Sequence, residues 1–192
     1  MTPSLRPLET SCRPDPFSEA AIDLLGLSLG WAAQRCGARI ALAESCTGGL
    51  ASSWVTRLAG SSQWFEGAVV SYSNAVKVRQ LHVPESLLEA HGAVSQPVAQ
   101  AMAEGLGPSK GLFLTAAITG VAGPGGGTKD KPVGLVWFAW AEFDGQQTHA
   151  MPLRCWTSQQ RFLGGRQAIQ RQAAWHALQG LLSHLQGRGL VP

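Results

Sequence analysis

Apolar side chains recur every three or four residues after Phe17, which is the spacing that buries one face of an α-helix. These positions are Ile22, Leu25, Leu29, Ala32 and Cys36. Gly37 follows directly and is placed to end the helix, because glycine tolerates the left-handed backbone of a helix C-terminus. The next run, Arg39-Ile-Ala-Leu-Ala, predicts a short buried strand that ends at Glu44, and a second helical stretch covers residues 50–58. The pattern therefore predicts a helix, a strand, a tight turn and another helix.

The middle of the chain continues this alternation. Residues 65–70 are apolar enough for a strand, and short helices interrupted by prolines and a glycine are predicted over residues 74–105. The unbroken apolar run over residues 111–118 is typical of a strand that is covered on both faces. It leads directly into a glycine-rich loop over residues 119–128.

The last third of the chain predicts a hairpin and a helix. Residues 133–141 and 148–154 are expected to pair across Asp144-Gly145, a dipeptide that favours tight turns. A long helix is predicted from about Ser158 to Leu185. Because helices alternate with at least four strands and the hairpin is antiparallel, we expect a layered α/β domain with a mixed sheet.

Composition indicates how the chain is divided into an arm and a domain. Residues 1–16 carry four prolines and no apolar periodicity, so we expect a flexible N-terminal arm before a single domain over residues 17–192. Apolar residues make up 45% of the 192-residue chain, which is enough for a sizeable core. Charged residues make up only 14%, against roughly 25% in typical soluble domains. We therefore expect some surface to be covered in a homodimer or higher homo-oligomer.

Charge and cysteine usage argue against several functional classes. A formal charge of +3 is too small for a nucleic-acid footprint, so no nucleic-acid partner is expected. The four cysteines show neither CxxC spacing nor a histidine pair at zinc-ligand spacing, which favours a reducing cytoplasm without a bound metal. The apolar stretch over residues 24–33 follows Glu19 and Asp23 and is shorter than the ~20 residues of a membrane span. Neither export nor membrane insertion is expected.

Three polar segments, residues 44–49, 71–77 and 119–128, follow predicted strands. Ligands of open α/β sheets bind at the carboxyl ends of strands. We therefore expect the three segments to meet at one cleft.

Ser45 stands where a strand turns into a helix, so its hydroxyl could cap the helix or act as a nucleophile. Backbone amides of residues such as Thr47 and Gly48 would lie at the positive helix end, where they could bind an oxyanion. The five histidines lie in no marked loop context, which leaves a neutral Lys77 as the alternative base. Tyr72, the single tyrosine, could steady the proton. Both side chains could also be ordinary structural residues.

The glycine-rich loop is open to two interpretations. It lacks the Gly-Lys-Ser/Thr of a Walker A loop and the Gly-x-Gly-x-x-Gly dinucleotide fingerprint, so nucleotide hydrolysis is unsupported. It is either a backbone cradle for an anion or a sugar, or a mobile surface loop.

Several longer motifs occur in one order along the chain. They are Ala43-Glu-Ser-Cys-Thr-Gly-Gly49, Gly67-Ala-Val-Val-Ser-Tyr-Ser-Asn74 with Lys77, His91-Gly-Ala-Val-Ser95, and Ile118-Thr-Gly-Val-Ala-Gly-Pro-Gly-Gly-Gly-Thr128 through Lys131-Pro-Val-Gly134. Together they resemble the CinA C-terminal domain family, the nicotinamide-nucleotide amidases. The similarity covers roughly residues 17–187.

This resemblance implies a three-layer α/β/α sandwich and a cytoplasmic enzyme that acts without metal or cofactor. The implied reaction hydrolyses the carboxamide of nicotinamide mononucleotide to nicotinate mononucleotide and ammonia. It implies Ser45 as the nucleophile, with Lys77 as the base and Tyr72 in support. The residues expected to contact the substrate are Thr47, Gly48, Asn74, Thr119, Gly126, Gly127 and Arg166.

The chain departs from the family pattern before and within the last helix. The family usually reads Phe-Pro-Gly-Asp-Arg where this chain reads Phe162-Leu-Gly-Gly-Arg166, so Gly165 replaces an aspartate. An arginine commonly follows four residues later, where this chain has Gln170 with Arg171 beside it. If this region shapes the phosphate end of the site, affinity or substrate choice would differ. Two alternatives stay open, a catalytically silent nucleotide-binding member and an amidase for another carboxamide.

Overall fold

A computed structural model describes residues 17–107, 111–144 and 151–188, and it confirms the predicted alternation of helices and strands. The helices are α1 (Glu19–Cys36), α2 (Leu50–Thr56), α3 (Asn74–Leu81), α4 (Glu85–His91), α5 (Gln96–Glu104) and α6 (Arg166–Arg188). The strands are β1 (Ala38–Glu44), β2 (Phe65–Val70), β3 (Leu112–Gly120), β4 (Leu135–Asp144) and β5 (Arg154–Arg161). The predicted N-terminal arm, residues 1–16, lies outside the described residues.

The strands form one mixed sheet in the order β2-β1-β3-β4-β5. Strand β1 runs parallel to both β2 and β3, whereas β4 is antiparallel to β3 and to β5. The mixed sheet expected from the sequence is thereby confirmed.

Alternate side chains of β1 enter two separate hydrophobic cores, because successive residues of a strand point to opposite faces. Ile40 and Leu42 pack with apolar residues of α1, α2 and α6. Ala41 and Ala43 pack with apolar residues of α3, α4 and α5. The sheet therefore lies between two layers of helices, which is the three-layer α/β/α sandwich that the resemblance implies.

The strand order brings the ends of β1 and β3 side by side. From β1 the chain passes through α2 to β2 on one side, and then through α3, α4 and α5 to β3 on the other side. Such a reversal leaves a crevice outside the carboxyl ends of the two neighbouring strands. Glu44, the last residue of β1, is paired with Ile118 near the end of β3. The loops that follow these strands therefore begin at the same edge of the sheet.

Local capping fixes helices at both ends of β1. Gly37, directly before β1, ends α1 in the left-handed conformation, as predicted, with φ of 62°. At the carboxyl-end edge Ser73 caps α3, and its hydroxyl accepts a hydrogen bond from the Val76 N–H at 3.3 Å, which satisfies a donor that the helix itself cannot pair. This cap fixes the first turn of α3 a few residues after the end of β2, and so orients Lys77, which lies one turn further along.

The predicted boundaries at the end of the chain are wrong. The sequence pattern places the second hairpin strand at residues 148–154 and the last helix from Ser158, but residues 154–161 form β5 and α6 begins at Arg166. Residues 145–150 are outside the described part of the chain, and with them Gly145 of the predicted turn.

The reason for this error lies in a pair of aromatic side chains. Trp156 of β5 lies directly opposite Trp140 of β4, and the two rings stack with centroids 6.1 Å apart. Cross-strand aromatic pairs of this kind stabilise a sheet. The pairing favours a strand that extends through residues 158–161, which the sequence pattern assigned to the start of the last helix.

Gly180 allows α6 to pack closely against the sheet, because a Cβ at this position would overlap the indole ring of Trp140. We expect Gly180→Ala to lower the free energy of unfolding by about 1–3 kcal/mol despite alanine's better helix propensity. Gly187→Ala in the same helix is the matched control, since nothing lies within 4 Å of its Cβ position. Urea denaturation of both variants measures the effect, and equal stabilities would contradict the close contact.

Candidate active site

Ser45 is the first residue after β1, and its side chain lies 3.0 Å from the amine of Lys77, measured from Oγ to Nζ. The backbone of Ser45 is still held by the sheet, because its N–H donates to the carbonyl of Ile118 at 2.9 Å. Ser45 is buried, with 8% of its surface exposed. The strand end thus holds a serine oxygen in a fixed place beside a basic nitrogen.

Lys77 is almost completely buried, with 1% of its surface exposed. Its amine donates to Ser45 Oγ, to the carbonyl of Ser71 at 2.6 Å and to the carbonyl of Tyr72 at 3.5 Å. Within the described residues no carboxylate forms an ion pair with it. Burial lowers the pKa of Lys77 to about 8, and the nearby Cys46 acts weakly in the opposite direction. A minor neutral fraction is therefore present near physiological pH, and the neutral form predominates above pH 8.

Cys46, the neighbour of Ser45, is not prepared for nucleophilic attack. Burial raises the pKa of its thiol to about 12, and only a thiolate is a strong sulfur nucleophile. The hydroxyl of Ser45 is therefore the candidate nucleophile of this turn. In the described ranges no three His, Cys, Asp or Glu side chains are grouped as metal ligands.

The carboxylate of Glu44 occupies the start of α2. Glu44 is fully buried, and its two oxygens accept hydrogen bonds from the N–H groups of Gly49, Ala51 and Ser52 at 3.0, 3.2 and 2.8 Å. A carboxylate is well placed there because the amides of a helix start carry partial positive charge. These amides are consequently not free to bind a substrate oxyanion.

The turn after Ser45 leaves different amides free. The Gly48 N–H, which the sequence analysis offers as an oxyanion donor, instead donates to the carbonyl of Ser45 at 3.1 Å. The carbonyl of Cys46 accepts from Nε2 of Gln170 at 2.8 Å. No oxygen in the described part of the chain accepts from the N–H groups of Cys46 and Thr47, and Oγ1 of Thr47 is buried without a partner there. Two backbone donors next to Ser45 are thus without an oxygen acceptor, and the Cys46 N–H contacts only its own thiol.

A cavity of about 300 Å³ opens beside Ser45 and Lys77. Its lining also includes four further residues singled out from the sequence: Tyr72, Thr119, Gly126 and Arg166. The structure therefore brings together the ends of β1 and β3, the segment after β2 and the glycine-rich loop, as expected for one cleft.

Four predicted contact residues do not line this cavity. Thr47 is buried within the turn, Gly48 has its N–H bonded to Ser45, and Asn74 is exposed at the start of α3. Gly127 lies close to Val133, where a Cβ would stand 2.9 Å from the Val133 backbone nitrogen. None of the four lines the cavity, although the N–H of Thr47 lies beside Ser45 and no described oxygen accepts from it.

The side chain of Tyr72 contacts Arg166. Its hydroxyl accepts a hydrogen bond from the guanidinium at 3.0 Å, and a second guanidinium nitrogen donates to the carbonyl of Gly123 at 2.9 Å. Tyr72 is 61% exposed, and its link to Lys77 is through its main-chain carbonyl. The phenol therefore orients the cation at the cavity mouth, whereas the sequence analysis placed it beside the lysine and serine.

Several lining residues were missed as site residues. They are Cys46, Ala93, Val94, Gly120, Val121, Ala122, Gly123 and Gly125. A signal for two of them was present in the motif His91-Gly-Ala-Val-Ser95. Thr119 explains their position, because its Oγ1 donates to the carbonyl of Ala93 at 2.8 Å and so ties this motif to the end of β3.

Comparison with known proteins agrees with this arrangement. The sequence-family model of the CinA C-terminal domain matches residues 26–185 of this chain. The nicotinamide-nucleotide amidohydrolase PncC of Pseudomonas putida is 46% identical over 161 residues, covering 84% of this chain and 95% of that protein. A CinA-like protein of Syntrophomonas wolfei is 46% identical over 153 residues, but this chain covers only 35% of its length.

The fold is also similar to solved structures. A competence-damaged protein (CinA) superfamily protein from Klebsiella pneumoniae superposes with a TM-score of 0.75 and 32% sequence identity. The superposition covers 86% of this chain and 98% of that one.

The burial of the Glu44 carboxylate predicts a cost for its neutral isostere. We expect Glu44→Gln to lower the free energy of unfolding by about 1–3 kcal/mol, because the glutamine NH₂ would face one of the three helix-start N–H groups, donor against donor. Urea denaturation measures the change. Glu89→Gln, at an exposed position of α4, is the control. Equal stability of the two variants would show that the carboxylate does not hold the helix start.

Proposed function

Because this chain belongs to the CinA C-terminal domain family, we propose that it is a nicotinamide-nucleotide amidohydrolase. The reaction converts nicotinamide mononucleotide and water to nicotinate mononucleotide and ammonia. The observation that carries the proposal is the 3.0 Å contact between Ser45 Oγ and the buried amine of Lys77. It provides a nucleophile and its base inside a cavity that also holds a cation.

The first half of the reaction forms an acyl-enzyme. Neutral Lys77 accepts the proton of Ser45 while Oγ attacks the carboxamide carbon. The N–H groups of Cys46 and Thr47, from which no described oxygen accepts, are the donors available for the oxyanion, since Glu44 occupies those of Gly49, Ala51 and Ser52. Protonated Lys77 then returns the proton to the leaving nitrogen, and ammonia departs.

The second half regenerates the serine. Water attacks the acyl carbon, Lys77 removes its proton, and the proton passes to Ser45 Oγ as the acyl bond breaks. Nicotinate mononucleotide leaves as a carboxylate, and the proton that its carboxylic acid loses passes to the released ammonia or to solvent. The carbonyls of Ser71 and Tyr72 hold the lysine amine through both halves of the cycle.

Arg166 and the glycine-rich loop are suited to the phosphate of the substrate. The guanidinium lines the cavity, and its position is set by Tyr72 and by the carbonyl of Gly123. Arginine binds phosphate well because its planar N–H groups match the phosphate oxygens. The positive charge of the substrate's pyridinium ring makes the carboxamide more electrophilic, which suits a serine nucleophile.

The location and the assembly of the protein stay predictions. None of the helices in residues 17–107, 111–144 and 151–188 has the length and apolarity that a membrane span requires. A cytoplasmic location and a homodimer or higher homo-oligomer are part of the proposal.

The substrate and the nucleophile can be tested together by ammonia release. We expect wild type to release ammonia from nicotinamide mononucleotide in preference to nicotinamide riboside or nicotinamide, because only the mononucleotide offers a phosphate. Ser45→Ala should lower turnover by about 10³-fold or more, whereas Ser53→Ala, at an exposed serine of α2, should not.

Each alternative function predicts a different result in this ammonia-release assay. A silent binding protein would release no ammonia from any of the three compounds. A preference for another carboxamide would identify a different amidase. Wild-type turnover by Ser45→Ala would remove the serine from the mechanism.

The role of Lys77 predicts a pH dependence. Since the base must be neutral, kcat/KM should rise about tenfold per pH unit below pH 8 and level off above it, following the lowered pKa of Lys77 in the free protein. Lys77→Arg should be nearly inactive, because a guanidinium stays protonated, and Lys77→Met should be inactive for lack of a base. Lys129→Arg, at an exposed loop position, is the control. Substantial activity in Lys77→Arg would contradict the assignment.

A further inference from the structure

The two peptide groups that follow Ser45 share one arrangement. In each, the carbonyl is held by a donor: Gly48 N–H holds the carbonyl of Ser45, and Gln170 Nε2 holds that of Cys46. In a trans peptide the N–H points away from the carbonyl. Fixing each carbonyl therefore also fixes the direction of the Cys46 N–H and of the Thr47 N–H.

The first of these two restraints is local, since Gly48 lies only three residues from Ser45. The second comes from a distant part of the chain, because Gln170 belongs to α6 and is 124 residues from Cys46. Gln170 follows Arg166 by four residues, so the two side chains lie on one face of the helix. Arg166 lines the cavity, while Gln170 binds the turn that carries the nucleophile.

We propose that Gln170 is a positioning residue that holds the oxyanion-binding peptide of Cys46 and Thr47 through its hydrogen bond to the Cys46 carbonyl. This inference rests on the proposed amidohydrolase function. Oxyanion donors stabilise the transition state only when they are already oriented, because reorganising them during the reaction costs part of the gain. Gln170 does not touch the reacting atoms and acts through the backbone of the turn.

The chemistry of the bond predicts which side chains can replace glutamine. The Cys46 carbonyl needs a donor, which glutamine supplies from its NH₂ group. Glutamate has the same size but offers only acceptors when ionised, and methionine offers no donor. Arginine offers N–H donors at similar reach, and it is the residue commonly found at this position in the family pattern.

Steady-state kinetics with nicotinamide mononucleotide tests the proposal. We expect Gln170→Met and Gln170→Glu to lower kcat about tenfold while the melting temperature stays close to that of wild type. The KM of the neutral methionine variant should change by less than about twofold, because the phosphate-binding Arg166 is untouched. Gln170→Arg should recover most of kcat. The control is Gln179→Glu, at an exposed position of α6, which should match wild type.

A second readout does not depend on the substrate. A fluorophosphonate probe forms a bond from Ser45 Oγ to phosphorus and releases fluoride, while Lys77 takes the serine proton, and its phosphoryl oxygen uses the same N–H donors. Mass spectrometry of the intact protein gives the labelling rate. We expect about tenfold slower labelling of Gln170→Met, with recovery in Gln170→Arg.

The outcomes separate the two proposals. Wild-type kcat and labelling rate in Gln170→Met would overturn the positioning role. Loss of kcat that Gln170→Arg does not recover, or that accompanies a large fall in melting temperature, would also overturn it in favour of a structural role. If wild type is labelled by the probe but releases no ammonia, the proposed function fails, and the labelling rates still test Gln170.

Discussion

The site depends on the hydrogen bonds of the buried Lys77 amine, which has no carboxylate partner within residues 17–107, 111–144 and 151–188. Such a group is stable only if its N–H donors are satisfied by neutral acceptors, and Lys77 finds them in Ser45 Oγ and the carbonyls of Ser71 and Tyr72. These acceptors must in turn be fixed. The N–H of Ser71 donates to the carbonyl of Glu44 at 2.7 Å, so one residue at the end of β1 anchors both the segment that holds the lysine and, through its carboxylate, the start of α2.

The sequence predicts an element correctly where its hydrophobic pattern reflects burial of one or both faces of that element. The apolar runs before Ser45 and Thr119 predict β1 and β3 correctly, because strands inside a layered sheet are apolar on both sides. Polar residues that directly follow such strands can only lie at the sheet edge. For this reason the sequence predicts one cleft lined by Ser45, Lys77, Thr119 and the glycine-rich loop, and the structure contains it.

The errors arise where several partners compete for one group. Sequence spacing offers the Gly48 N–H as an oxyanion donor, but it cannot show that this N–H donates to the carbonyl of Ser45. Nor can it show that Arg166, 94 residues away in the chain, donates to the Tyr72 phenol; the support that Tyr72 gives to Ser45 and Lys77 stays a prediction. The second hairpin strand was placed at residues 148–154 and not at 154–161, since the contact of Trp156 with Trp140 is decided by tertiary packing.

The burial of Lys77 also couples folding to protons. An ordinary lysine titrates near 10.5, whereas the pKa of Lys77 in the folded chain is about 8. Between these values the unfolded chain binds a proton that the folded chain does not, so the free energy of unfolding rises with pH through this window. Below pH 8 both states are protonated and this gain is absent. At neutral pH the folded protein therefore carries a mostly charged amine that burial has desolvated. Raising the pH through 8 removes this charge, which both stabilises the fold and supplies the neutral base.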